Sequence, residues 1–96
     1  MKVAIASLGK DLESEVSSVA GRSPYYVIFE NGKLIEVFKN PFLVGGGAGF
    51  GIARILKDKG VSKVIAGNFG GNMKNSLKEY NIEYIESKGK VKDFIN

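Results

Sequence analysis

Ninety-six residues with fourteen basic and ten acidic side chains carry a net charge of +4, and 44% apolar with 25% charged residues excludes a disordered chain. A chain of this length buries roughly 65% of its unfolded surface and folds without staples. Cysteine and histidine are both absent, so disulfides, thiol nucleophiles and the usual zinc and iron-sulfur sites cannot be built from this chain alone.

Residues 1–96 are expected to form one domain. The longest apolar runs are only a few residues, and Met1 to Ala6 leads into polar sequence without a signal-peptide core. The expectation is a cytoplasmic protein that does not enter a membrane. Twelve of the fourteen basic residues are lysines scattered among glutamates, the pattern of a solvated surface and not of a nucleic-acid footprint, which needs a clustered face. The two arginines, Arg22 and Arg54, therefore stand out.

Lys2 to Ser7 alternates small and branched apolar residues and predicts a central strand. Leu8 to Ser23 shows neither a period of 2 nor one of 3.6 and reads as a long loop. Tyr25 to Glu30 and Lys33 to Lys39 are two strands joined by Asn31-Gly32, a type I′ hairpin signal. Asn40-Pro41 ends the hairpin. Then comes Gly45-Gly46-Gly47-Ala48-Gly49-Phe50-Gly51, five glycines in seven residues, running into a helix predicted over Ile52 to Lys59 and stopped by Gly60. Val61 to Ala66 is a short buried strand. Gly67-Asn68-Phe69-Gly70-Gly71-Asn72 opens a second helix with Asn72 as its cap, Met73, Leu77 and Tyr80 as its apolar stripe, and Asn81 at its end. Ile82 to Glu86 is the fifth strand, and Val91, Phe94 and Ile95 mark a short closing helix.

The order predicts an α/β fold with a five-stranded mixed sheet of order 3-2-1-4-5 and three helices, two on one face and one on the other. The C-terminal ends of strands one, three and four then share an edge. Ser7 to Arg22, Asn40 to Gly51 and Gly67 to Asn72 meet there, and open α/β sheets bind ligands at such an edge. By spacing alone the first glycine stretch reads equally as a flexible connector or as a backbone cradle for an anion at a helix N-terminus. Its place beside Arg22 and the second glycine turn favours the cradle.

Neither common nucleotide fingerprint fits. The dinucleotide pattern needs Gly or Ala where Ile52 or Arg54 stands, and a phosphate loop ending Gly-Lys-Ser/Thr is missing. The strand order suits a ribonuclease-H-like sheet, but two-metal nucleases use strand carboxylates, and Lys2 to Ser7 has none. No spacing resembles a paired base and nucleophile.

Gly21-Arg22-Ser23-Pro24-Tyr25-Tyr26, the stretch from Gly45 to Gly51, and Ile65 to Asn72 together resemble the dinitrogenase iron-molybdenum cofactor biosynthesis family over nearly the whole chain. The resemblance implies a ribonuclease-H-like fold and a small carrier of the iron-molybdenum cofactor or its iron-sulfur precursor. Relatives often place an aromatic residue before the Gly-Arg pair and a histidine in the first loop. Here Val19-Ala20 precede Gly21, and there is no histidine. A cluster would accordingly be held by Arg22 and backbone N–H groups, without His or Cys ligands. The expected function is non-enzymatic binding of a small anion or metallocluster by Arg22, Gly45, Gly46, Gly47, Gly49, Asn68, Gly70, Gly71 and Asn72. The alternative is an interaction or regulatory adaptor that docks on a protein partner with no cofactor.

Overall fold

The computed structural model describes residues 1–43 and 47–95. Its strands are β1 (Lys2–Ser7), β2 (Tyr25–Glu30), β3 (Lys33–Lys39), β4 (Val61–Ala66) and β5 (Glu83–Glu86), with helices α1 (Ala48–Asp58) and α2 (Gly71–Glu79). They form one sheet of order β3-β2-β1-β4-β5. Strand β1 pairs antiparallel with β2 and parallel with β4, and β4 pairs parallel with β5. The ribonuclease-H-like α/β arrangement read from the sequence is the one observed.

Asn31 and Gly32 have φ of 53° and 79°, the two positive values a type I′ turn demands, and Glu30 pairs directly with Lys33. Further along, Ile28 pairs with Glu36 while Phe29 pairs with Leu34. Ile35 is therefore the extra residue of a β-bulge.

Period-two alternation sorts the strand side chains into two cores. Ala4, Ala6, Tyr26, Ile28, Val64 and Ala66 face Ile52, Leu56, Met73 and Leu77 of the helices. Ile5, Val27, Phe29 and Ile65 face the other way, against Val16 and Val91. Both helices thus lie on one face.

The closing element on the second face is not a third α-helix. Val91–Phe94 is a single 3-10 turn, closed by the Asp93 carboxylate accepting the Lys90 N–H at 2.9 Å. So short an apolar segment cannot offset the cost of nucleating an α-helix. Helix α1, conversely, starts at Ala48 and not at Ile52. Gly49 and Gly51 each cost the helix about 1 kcal/mol relative to alanine, and packing explains why they are tolerated. A Cβ on Gly51 would stand 2.3 Å from the Phe42 ring, and one on Gly49 would stand 3.0 Å from the Met73 nitrogen. Missing side chains let α1 approach both neighbours.

The Leu8 to Ser23 segment is irregular but tied down. The Ser17 N–H donates to the Ala6 carbonyl at 2.8 Å, the Gly67 N–H to the Ser17 carbonyl at 2.8 Å and the Val16 N–H to the Gly89 carbonyl at 2.8 Å. It ends in a 3-10 turn, Ala20–Arg22. These bonds bring the first loop onto the C-terminal edge of β1 and β4.

Candidate functional site

Strands β3 and β4 run parallel to β1, so the helices that follow them begin at the same sheet edge. Helix α1 starts from Gly47, at φ 79°, and α2 from Gly70; neither has a side-chain cap or an acidic residue in its first turn. The N–H groups of Gly51 and Lys74 make the first helical bonds, to Gly47 at 2.9 Å and Gly70 at 3.0 Å. The preceding N–H groups in each helix have no intrahelical acceptor. Two sets of donors and two positive dipole ends are brought together where Gly49 packs on Met73.

Arg22 reaches the same place on a clamped backbone. The buried Tyr26 hydroxyl donates to the Ala20 carbonyl, and burial keeps this phenol from ionising by raising its pKa far above the ordinary value. The Ala20 N–H donates to the Asn68 carbonyl at 2.9 Å. The Asn40 amide, itself 5% exposed, donates to the carbonyls of Gly21 at 3.0 Å and Ser23 at 2.9 Å. Backbone on both sides of Arg22 is held while its side chain stays exposed. Among the described residues Arg54 pairs with Asp58 at 3.1 Å, whereas Arg22 has no ion-pair partner.

Arg22, Gly47, Gly49, Gly70, Gly71 and Asn72 line one groove of about 290 Å³, and none of its lining residues is acidic. Six of the nine residues singled out in the sequence are thus brought together. Gly45 and Gly46 lie outside the described residues. Asn68 lines a different groove, on the other face of the sheet. Asn72 is not a cap: it sits in the first turn of α2, one residue inside Gly71. The chain already turns into the helix at Gly70, whose extended φ of −71° and ψ of 160° are those of a cap residue.

The glycines of this edge fall into two kinds. Gly49 and Gly67 lie against backbone, where a Cβ would stand 3.0 Å from the Met73 nitrogen and 2.7 Å from the Ser18 Cα, and a Cβ on Gly51 would displace the Phe42 ring. A Cβ on Gly70 or Gly71 meets nothing within 4 Å, and neither has a φ that disfavours a side chain. Nothing in the fold asks for glycine at these two positions. What the missing side chains leave is open backbone on the groove wall.

Several contributors were not evident from the sequence. Val19 and Ala48 also line the groove. Glu86, at the end of β5, accepts the Phe69 N–H at 3.1 Å and so fixes the chain just before α2. The parallel pairing of Ala66 with Glu86 creates that contact, across a separation that no local pattern encodes. No group of three or more Asp, Glu, His or Cys residues suited to a metal ion occurs among the described residues. The donors present are N–H groups, an amide and a guanidinium, which suit an anion.

No curated protein matches the chain. Among solved structures, a Thermotoga protein of the DUF35 family, TM1290, described as a candidate NifB protein, is 35% identical; the match covers 96% of this chain and 81% of that one with a TM-score of 0.82. PH0822 is 27% identical with a TM-score of 0.80, covering 97% of this chain and 85% of that one. The apo orange protein of Desulfovibrio gigas shares the fold at 22% identity, with a TM-score of 0.87 over 96% of this chain and 81% of that one. A family model described as dinitrogenase iron-molybdenum cofactor matches residues 1–96. On that match, which spans both glycine turns and Arg22, the chain belongs to the dinitrogenase iron-molybdenum cofactor family.

Proposed function

We propose that this protein is a non-enzymatic cytoplasmic carrier that holds an anionic metallocluster, of the iron-molybdenum or iron-sulfur precursor type, as cargo in the groove between the two helix N-termini. The observation that carries the reading is the open backbone at Gly70 and Gly71 beside Arg22, which has no ion-pair partner among the described residues, in a groove whose described lining holds no carboxylate. Family membership supports a cofactor-related role, and the donor set defines how such cargo would be held. N–H groups and the guanidinium contact the anion's outer atoms, and no His or Cys bonds its metals. Nucleic acid is not a partner in this reading.

The test is an anaerobic titration with tetrathiomolybdate, with inorganic phosphate as a second arm, followed by backbone amide shifts. Shifts are expected at Gly47 to Gly49 and at Gly71 to Met73. Arg22→Ala removes a charge-assisted hydrogen bond of roughly 1.5–3 kcal/mol and should weaken binding about tenfold or more. Gly71→Leu should leave the thermal unfolding temperature almost unchanged, because nothing stands within 4 Å of its Cβ, yet abolish binding by filling the wall. Thiomolybdate shifts absent from this edge, or unaffected by both substitutions, would overturn the proposal. Co-purification of a polypeptide in place of metal would favour the adaptor reading.

A further inference from the structure

A second groove, of about 670 Å³, opens at the same sheet edge on the opposite face. The two loops that wall the first groove also wall this one: Val16 and Ser18 line the second while Val19 and Arg22 line the first, and Gly67 and Asn68 line the second while Gly70 and Gly71 line the first. Its shape is built into the backbone. The Gly67 N–H is bonded to the Ser17 carbonyl at 2.8 Å, the Val16 N–H to the Gly89 carbonyl at 2.8 Å and the Ser87 N–H to the Ala66 carbonyl at 2.9 Å. A side chain on Gly67 would stand 2.7 Å from the Ser18 Cα, so the two loops pack backbone against backbone where the grooves part.

This groove carries charges of both signs. Lys88 and Lys90 line it together with Glu15 and Asp93. Two of the four are engaged: Lys90 lies 3.6 Å from Glu13, and Asp93 accepts the Lys90 N–H. Lys88 and Glu15 have no ion-pair partner among the described residues. The Asn68 side chain, which has no hydrogen-bond partner among the described residues, adds a donor and an acceptor in one planar group. Val16 and the glycine backbones supply apolar surface. A simple anion entering here would meet Glu15 and Asp93 as well as Lys88, and a simple cation would meet the reverse. A molecule carrying both charges finds an opposite for each, and a central amide matches Asn68. The volume lies within the roughly 300–1,000 Å³ of small-molecule sites.

We infer that this groove is a second binding site, for a zwitterionic molecule of dipeptide size, its carboxylate toward Lys88, its ammonium toward Glu15 and Asp93, and its amide at Asn68. The inference does not depend on what the first groove carries.

The experiment uses the full chain and glycyl-L-leucine as probe, followed by backbone amide shifts, with N-acetyl-leucine as the anion-only arm and leucinamide as the cation-only arm. Glycyl-leucine should perturb the amides of Ser18, Asn68 and Gly89 in a saturable way, and each single-charge arm should need a several-fold higher concentration. Lys88→Ala and Glu15→Gln, both at exposed side chains, should each weaken the dipeptide about threefold, the scale of an exposed ion pair, and leave the unfolding midpoint in place. Absent or non-saturable shifts at these amides overturn the proposal, as does equal binding of the three probes or indifference to both substitutions. Because its readout is confined to Ser18, Asn68 and Gly89, failure here is distinguishable from failure of thiomolybdate to shift Gly47 to Gly49 and Gly71 to Met73.

Discussion

The two faces of the sheet are finished by different means. On the helical face Tyr26, Ile52, Leu56 and Leu77 are fully buried, and α1 and α2 pack on each other as well as on the strands. Partly covered hydrophobics flank both cores, Phe38, Phe42, Ile55, Tyr80 and Tyr84 on the helical face and Val3, Val37, Ile85, Phe94 and Ile95 on the other, but the buried set on the other face is the smaller, made of Ile5, Val16, Val27, Phe29, Ile65 and Val91. What closes that face is backbone hydrogen bonding, from Val91 to Ser14 at 2.9 Å and from Lys92 to Leu12 at 3.0 Å, helped by Lys92 and Glu13 at 2.9 Å. The helical face therefore supplies most of the hydrophobic stabilisation, while directional bonds position the loops of the second groove.

Changes on the helical face should therefore be the most damaging. Leu56→Ala is expected to cost roughly 2–5 kcal/mol, the range for a fully buried leucine whose cavity collapses only in part, read from urea unfolding. Val91→Ala on the opposite face removes two buried carbons and should cost about 1.5 kcal/mol. It should also speed amide exchange in residues 12 to 17 before global unfolding, because Val91 and Lys92 bond to Ser14 and Leu12. Equal costs for the two substitutions, or exchange that accelerates uniformly, would erase the distinction between the faces.

The smallest effect belongs to the ion pair. The hydrogen bond from Lys92, then its charge, then the charge of Lys90 hold the exposed Glu13 carboxyl below its ordinary pKa, and the same contact raises Lys92 above its own. A carboxyl whose folded pKa is depressed contributes stability that is present above its unfolded pKa and lost as pH falls through the folded value. For Lys92 the contribution is present below its unfolded pKa and lost as pH rises through the folded one. Glu13→Gln should thus be slightly less stable than the parent at neutral pH, with the gap closing in acid as Glu13 protonates. Unfolding midpoints of both proteins across that range check the direction, and a gap that persists in acid contradicts the assignment.

The strands were largely legible because their signals are local. Alternation of small and branched apolar residues marks Lys2–Ser7, a short apolar run marks Val61–Ala66, and Asn31-Gly32 specifies its turn through backbone geometry alone. The strand order follows from connection rules and puts the glycine turns and Arg22 at one edge. What could not be read depends on contacts between distant residues. Gly49 and Gly51 look like helix breakers until Met73 and Phe42 are seen against them. Asn40, read only as the end of the hairpin, clamps Gly21 and Ser23. Asn68 adjoins Gly70 and Gly71 in sequence, yet Phe69 between them is buried at 2% exposure against Tyr84. The chain crosses the sheet edge at that point, which sends Asn68 to one face and the glycines to the other.

The bulge at Ile35 also bears on how this chain behaves among copies of itself. Strand β3 is a rim of the sheet, with Leu34 and Ile35 exposed at 44% and 47%, a composition that invites another molecule's strand to add on. The extra residue interrupts the ladder beside those side chains, and Lys33 and Lys39 stand at its two ends. At the opposite rim β5 offers only four residues, bounded by Glu83 and Glu86. Each rim is thus short or broken and charged at its ends, which works against sheet-to-sheet growth in a crowded solution.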